Sequence, residues 1–170
     1  MKKCFRIVLV FIAVLILAGC GNNSAAKSKY YIEPREEYTL KNEKFDILDN
    51  DIKTEIALYL RDFVSWYNEI PANDEEIKVT INDLEKLEAA DHQKIIIEYA
   101  NENIKNNEYT NAAMPSIDLF TTFWSVFQDK EVSTEVKADS TESSYSLSPE
   151  EWMKVHDKLS ETLEFYYGEQ

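Results

Sequence analysis

Between Asn22 and Tyr167 the chain contains no glycine. That absence constrains the fold more than any motif does. Glycine takes up positive φ at low cost, so tight hairpins and left-handed helix caps draw on it heavily. A long stretch without it reads as helices joined by polar loops rather than as a turn-rich sheet protein. It also excludes a glycine-rich phosphate loop, and it leaves the serines at Ser140–Ser148 without the glycines of a nucleophile elbow.

Apolar spacing supplies the helices. Asn50 or Asp51 caps a run through Ile52, Ile56, Leu60, Phe63, Val64 and Tyr67 that Pro71 closes. Thr80 with Asp83 three residues later forms a capping-box pattern for a short helix through Leu84 and Leu87. Upstream, Ile77, Val79 and Ile81 alternate with polar residues, which leaves a short extended piece as the alternative there. Asp91 caps the run Ile95–Ile97, Tyr99, Ala100 and Ile104, which ends at Asn106 and Asn107. Pro115 sits at the first turn of a helix through Ile117, Phe120, Phe123, Trp124 and Phe127. Ser148-Pro149-Glu150-Glu151 opens the last helix, Trp152 to Tyr166, and Gly168 stands where its C-terminal cap belongs. Residues 130–146 are rich in serine and threonine, lack a core pattern and read as an exposed loop. The expected fold is all-α: a small bundle of about four main helices and a minor one.

The N-terminus is organised differently. Lys2, Lys3 and Arg6 precede the uninterrupted apolar run Ile7–Ala18, and small residues follow. That order is the layout of an export signal. Gly21, Asn22 and Asn23 end the run well short of the roughly 20 residues a spanning helix needs, so an uncleaved anchor is the lesser alternative.

Leu17-Ala18-Gly19-Cys20 resembles the lipobox of bacterial lipoproteins. The resemblance implies cleavage between Gly19 and Cys20 and a diacylglyceryl group on the Cys20 thiol. It places the mature protein on the extracytoplasmic face of the cell membrane. Two acyl chains suit that role, because stable anchoring takes two lipid signals. The expected organisation is a signal peptide over 1–19, a lipidated cysteine and flexible tether over 20–29, and one helical domain over 30–170. A flexible tether from Gly21 to Lys29 spans about 15–18 Å, enough to clear the headgroups. Within the domain, Tyr30 to Phe45 reads as an extended lead-in packed through Tyr30, Tyr31 and Tyr38. Residue usage leans to a Gram-positive cell surface.

The whole chain carries a formal charge of −14, and removal of three basic residues with the signal takes it to −17. Such a charge tells against nucleic acid and anionic polymers, and it favours a cationic partner or simple solubility. Loss of Cys4 with the signal and use of Cys20 for lipid leave no thiol for a disulfide, a zinc site or a nucleophile. Asp49-Asn50-Asp51 begins like a calcium loop, but Lys53 and Thr54 stand where an acid and a glycine belong, so a helix cap is expected instead. His92 and His156 lie in no metal-binding pattern, and His156 falls on the Trp152–Leu159 face as a satisfied or half-buried side chain. Adjacent acids such as Glu36-Glu37, Glu75-Glu76 and Glu150-Glu151 diverge on a helix and read as surface.

Aromatics are the one surplus: Tyr59, Phe63, Trp66 and Tyr67 on one helix, and Phe120, Phe123, Trp124 and Phe127 on another. Stripes at helical spacing usually face a core. Trp66, Phe120, Phe123 and Trp124 are the candidates for a partner groove, whose aromatic walls and acidic rim suit a cationic amphipathic peptide or protein. The expected function is therefore a non-enzymatic, membrane-anchored binding module of accessory, immunity or exclusion type, with neither cofactor nor metal. Two alternatives compete: precursor of a pheromone cut from the signal at Ile12–Gly19, and, behind it, a wall-active hydrolase with scattered carboxylates.

Overall fold

The computed structural model describes residues 28–40, 43–137 and 140–169, with the side chains at 44 and 137 excepted. The signal segment, the lipobox with Cys20, and residues 21–27 of the tether lie outside the described residues. The described chain is mostly helical, but not purely so. Five helices, α1 (Asn50–Glu69), α2 (Ile81–Glu85), α3 (Ala89–Glu102), α4 (Asn107–Ser125) and α5 (Pro149–Tyr167), are joined by three strands, β1 (Ile77–Thr80), β2 (Ser133–Lys137) and β3 (Ser140–Leu147). A short 3-10 turn at Glu43–Phe45 precedes them. Among the described residues no helix is long and apolar enough to cross a membrane.

The strands form one antiparallel sheet in the order β1-β3-β2. This corrects the all-α expectation, and it corrects the exposed loop over 130–146, most of which is the β2–β3 hairpin. The reason lies in how the sheet is buried. Side chains alternate across a sheet, so Thr141, Ser143, Tyr145 and Leu147 share the inner face of β3. Leu147 is fully buried, Tyr145 and Ser143 are half-buried and Thr141 is exposed, so burial fades along the strand away from α5. A strand half of whose inner residues are serine and threonine shows little apolar alternation to read. The turn from α4 into β2 is made without glycine: Asp129 adopts φ 64, a left-handed conformation that aspartate tolerates better than most side chains.

Two helix starts also differ from expectation. The N-cap of α1 is Asp49, with no side-chain cap bond, so neither Asn50 nor Asp51 caps it. Helix α4 begins at Asn107, where the Asn106 side chain accepts from the Glu108 N–H, and Pro115 is interior to it. An interior proline cannot donate to the carbonyl four residues back and crowds it. Here α5 supports that turn from outside, with the Tyr166 hydroxyl donating to the Ala112 carbonyl at 2.8 Å. Buried Ala112 and Ala113 let the helices approach. Asp91 lies inside α3 rather than at its cap. The capping boxes at Thr80/Asp83 and Ser148/Glu151 form, and Gly168 ends α5 with φ 79.

One hydrophobic cluster joins the helices with β1 and β3, and among the described residues β2 contributes nothing to it. Its largest fully buried side chains include Trp152, Tyr59, Tyr67, Phe63 and Phe123, and Tyr67 stacks on Trp152 with ring centroids 4.7 Å apart and planes within 7°. The lead-in is sewn onto this core. The Ile32 N–H donates to the Asn68 Oδ1 at 3.0 Å, and the Asn68 Nδ2 donates to the Ile32 carbonyl at 2.7 Å. Tyr30 and Ile32 are buried, whereas Tyr31 and Tyr38 are half-buried, with Tyr38 packed edge-on against Tyr167 at 5.7 Å.

Candidate functional site

The four aromatic residues singled out by spacing form one unbroken chain of ring contacts. Trp66 meets Phe123 at 5.1 Å, Phe123 meets Trp124 at 5.2 Å, and Trp124 meets Phe120 at 5.7 Å, all edge-to-face. The chain runs from the core to the surface. Phe123 is 0% exposed and Trp66 6%, whereas Trp124 is 39% exposed. Phe120 is half-buried beside it. Two of the four are thus core, and two present an aromatic surface at the C-terminal end of α4.

Trp66 is not wholly withdrawn. Its indole N–H donates to the Asp83 carbonyl at 2.7 Å, and the ring lines a shallow pocket of about 160 Å³ whose rim carries Asp62, Glu69 and Glu88 with Lys86.

The row continues past Trp124 through Phe127, a buried member of the same helical stripe, to Tyr145 of β3, which helical spacing does not select. Trp124 contacts Phe127 at 5.9 Å, and Phe127 meets Tyr145 of β3 at 5.3 Å. Beyond Tyr145, on the same face of the hairpin, lie Thr134 and Ser143, whose hydroxyls are 3.2 Å apart, and then Val136 opposite Thr141. Val136 is 79% exposed, more than any other large hydrophobic side chain among the described residues.

The electrostatics of this corner are acidic. Lys130, at the foot of β2, is committed to Glu151 across a 2.7 Å ion pair. That pair, together with the Ser148 backbone N–H, pulls the Glu151 carboxyl down to about 2. Asp129, Glu131 and Glu135 remain exposed around the hairpin.

The histidines fall elsewhere. His92 on α3 is held between two carboxylates of α1, with Nδ1 at 2.7 Å from Glu55 and Nε2 at 3.5 Å from Asp62. This bridges the two helices. Half-buried His156 lies 3.1 Å from Asp157 and beside the Tyr67 ring. Among the described residues no group of three or more His, Cys, Asp or Glu side chains is arranged to hold a metal ion. A pocket of about 600 Å³ opens between the lead-in and α1 over Leu40, Ala57 and Leu58. Its two cations are engaged, Lys53 with Asp46 at 3.4 Å and Arg61 with Asp62 at 2.6 Å. No family model, curated protein or solved structure matches this chain.

Proposed function

We propose that this protein is a lipid-anchored, extracytoplasmic binding module, not an enzyme, whose partner is a cationic amphipathic peptide or protein. Its anchor is the lipid on Cys20. The observation that carries the partner reading is the half-exposed Trp124, on an aromatic row that reaches from Phe120 to Tyr145, in a chain of net charge −14. Exposed tryptophan is characteristic of binding hot spots, and a negative surround selects and steers a positive partner.

The test is binding of a synthetic basic amphipathic peptide to the full chain in lipid nanodiscs, read against salt. Affinity should fall about tenfold or more between low and high ionic strength, since exposed charges are screened over about 10 Å at 0.1 M. Trp124→Ala should weaken binding while leaving the helical circular dichroism unchanged. Binding that ignores both salt and Trp124 would refute the reading. In-cell crosslinking then names the natural partner.

A further inference from the structure

We propose that β2 is a docking edge that takes an extended cationic segment of the partner as a fourth strand of the sheet. This rests on the binding reading above and assigns it a mode and a place. The sheet order makes β2 an outer strand, and residues 131–136 are exposed throughout, so among the described residues neither helix nor loop covers that edge. An uncovered edge presents backbone donors and acceptors to any extended chain that approaches it. Edges are commonly guarded by an inward-pointing charge, a bulge or a proline. Here the inner face of β2 carries only Thr134 and Val136, the register with β3 is continuous from Ser133 to Lys137, and no proline interrupts it.

The two faces of the edge differ, and each selects something. The inner face offers apolar contact through Val136, in line with Tyr145, Phe127 and Trp124. On the outer face Glu135 stands directly opposite Glu142, so an added strand meets Glu135 as its nearest cross-strand neighbour. Opposite charges at such positions stabilise a sheet and like charges destabilise it. A segment that alternates a basic residue outward with an apolar or β-branched residue inward satisfies both faces. A second copy of this chain is the poorer occupant. Pairing β2 with itself about Glu135 opposes two glutamates, and it brings together two processed chains of charge −17.

The experiment is hydrogen–deuterium exchange on the full chain in nanodiscs. The probes are three short synthetic peptides that alternate valine and threonine with lysine, serine or glutamate. The lysine peptide should bind and slow exchange across Ser133–Lys137, leaving α5 unchanged. Glu135→Lys should weaken it about tenfold, the scale of one lost charge pair. Val136→Asp, which restores an inward-pointing guard, should abolish the protection. Both positions are exposed, and α5 exchange reports that the variants stay folded. If the lysine peptide binds but protects other residues, the edge is wrong and the cationic-partner reading stands. Equal protection of β2 by the serine or glutamate peptide leaves the edge and overturns the charge selection. Protection of β2 that grows with protein concentration alone assigns the edge to a second copy and overturns the proposal, as does the absence of protection by all three peptides.

Discussion

Tyr59 and Tyr166 are both buried, yet the fold treats their hydroxyls differently. The Tyr166 hydroxyl supports α4 through the Ala112 carbonyl, whereas that of Tyr59 has no hydrogen-bond partner among the described residues. Leaving a buried carbonyl without its donor costs a desolvation penalty, whereas removing an unpartnered hydroxyl removes one. Tyr166→Phe should therefore destabilise the protein by about 1 kcal/mol, and Tyr59→Phe should be neutral or stabilising. Urea denaturation of both variants checks this, and an equal loss for the two would contradict it. Burial pushes both phenols above their ordinary range. Their stabilising contribution is then present below the ordinary phenol range and declines as pH rises through it. Spacing predicted the burial of both rings. The partner of the Tyr166 hydroxyl was not legible, because Ala112 is distant in sequence and offers only backbone.

At the scale of elements, the start of α5 shows how far local chemistry carries. Serine, proline and glutamate in the right order predicted a capping box at Ser148, and it forms. The second function of Glu151, its ion pair with Lys130, depends on where the α4–β2 connection runs. Because the folded carboxyl titrates near 2, below its ordinary 4.5, its contribution is present above that ordinary value and is lost as pH falls through it toward 2. Glu151→Gln should flatten the acid limb of the stability curve, measured as urea midpoint against pH from neutral downward. Ser148→Ala should cost about 1 kcal/mol at neutral pH by removing the cap. Pro115 marks the limit of local reading. A proline is favoured in the first turn of a helix by propensity, but buried Ala112 and Ala113 and the Tyr166 contact carry α4 through it.

For the whole molecule, charge and anchor belong together. On the proposed reading, a mature chain of net charge −17 gains nothing from an anionic membrane surface, so its retention there would rest on lipid at Cys20. Cys20→Ala should move the protein from the membrane to the soluble fraction in cell fractionation, with an unchanged circular dichroism spectrum. Persistence of the variant in the membrane would overturn the lipobox reading. The same charge bears on the corner formed by Trp124, Tyr145 and the hairpin. Asp129, Glu131 and Glu135 are exposed there, while the nearby Lys130 is neutralised by Glu151.

The sequence by itself determined the main helical segments, two capping boxes, the glycine cap at Gly168 and most of the core, because these depend on neighbours within a turn or two. The tertiary structure decided the hairpin and the surface row. Residues 133–147 carry little apolar alternation, so their pairing depends on β1, where Ile77 faces Leu147, and on Phe127 receiving Tyr145. Whether an aromatic on a helical stripe faces inward or outward was likewise settled by packing. Phe123 and Trp124 are adjacent in the chain, and only the approach of Trp66 and Phe63 buries one and leaves the other at the surface.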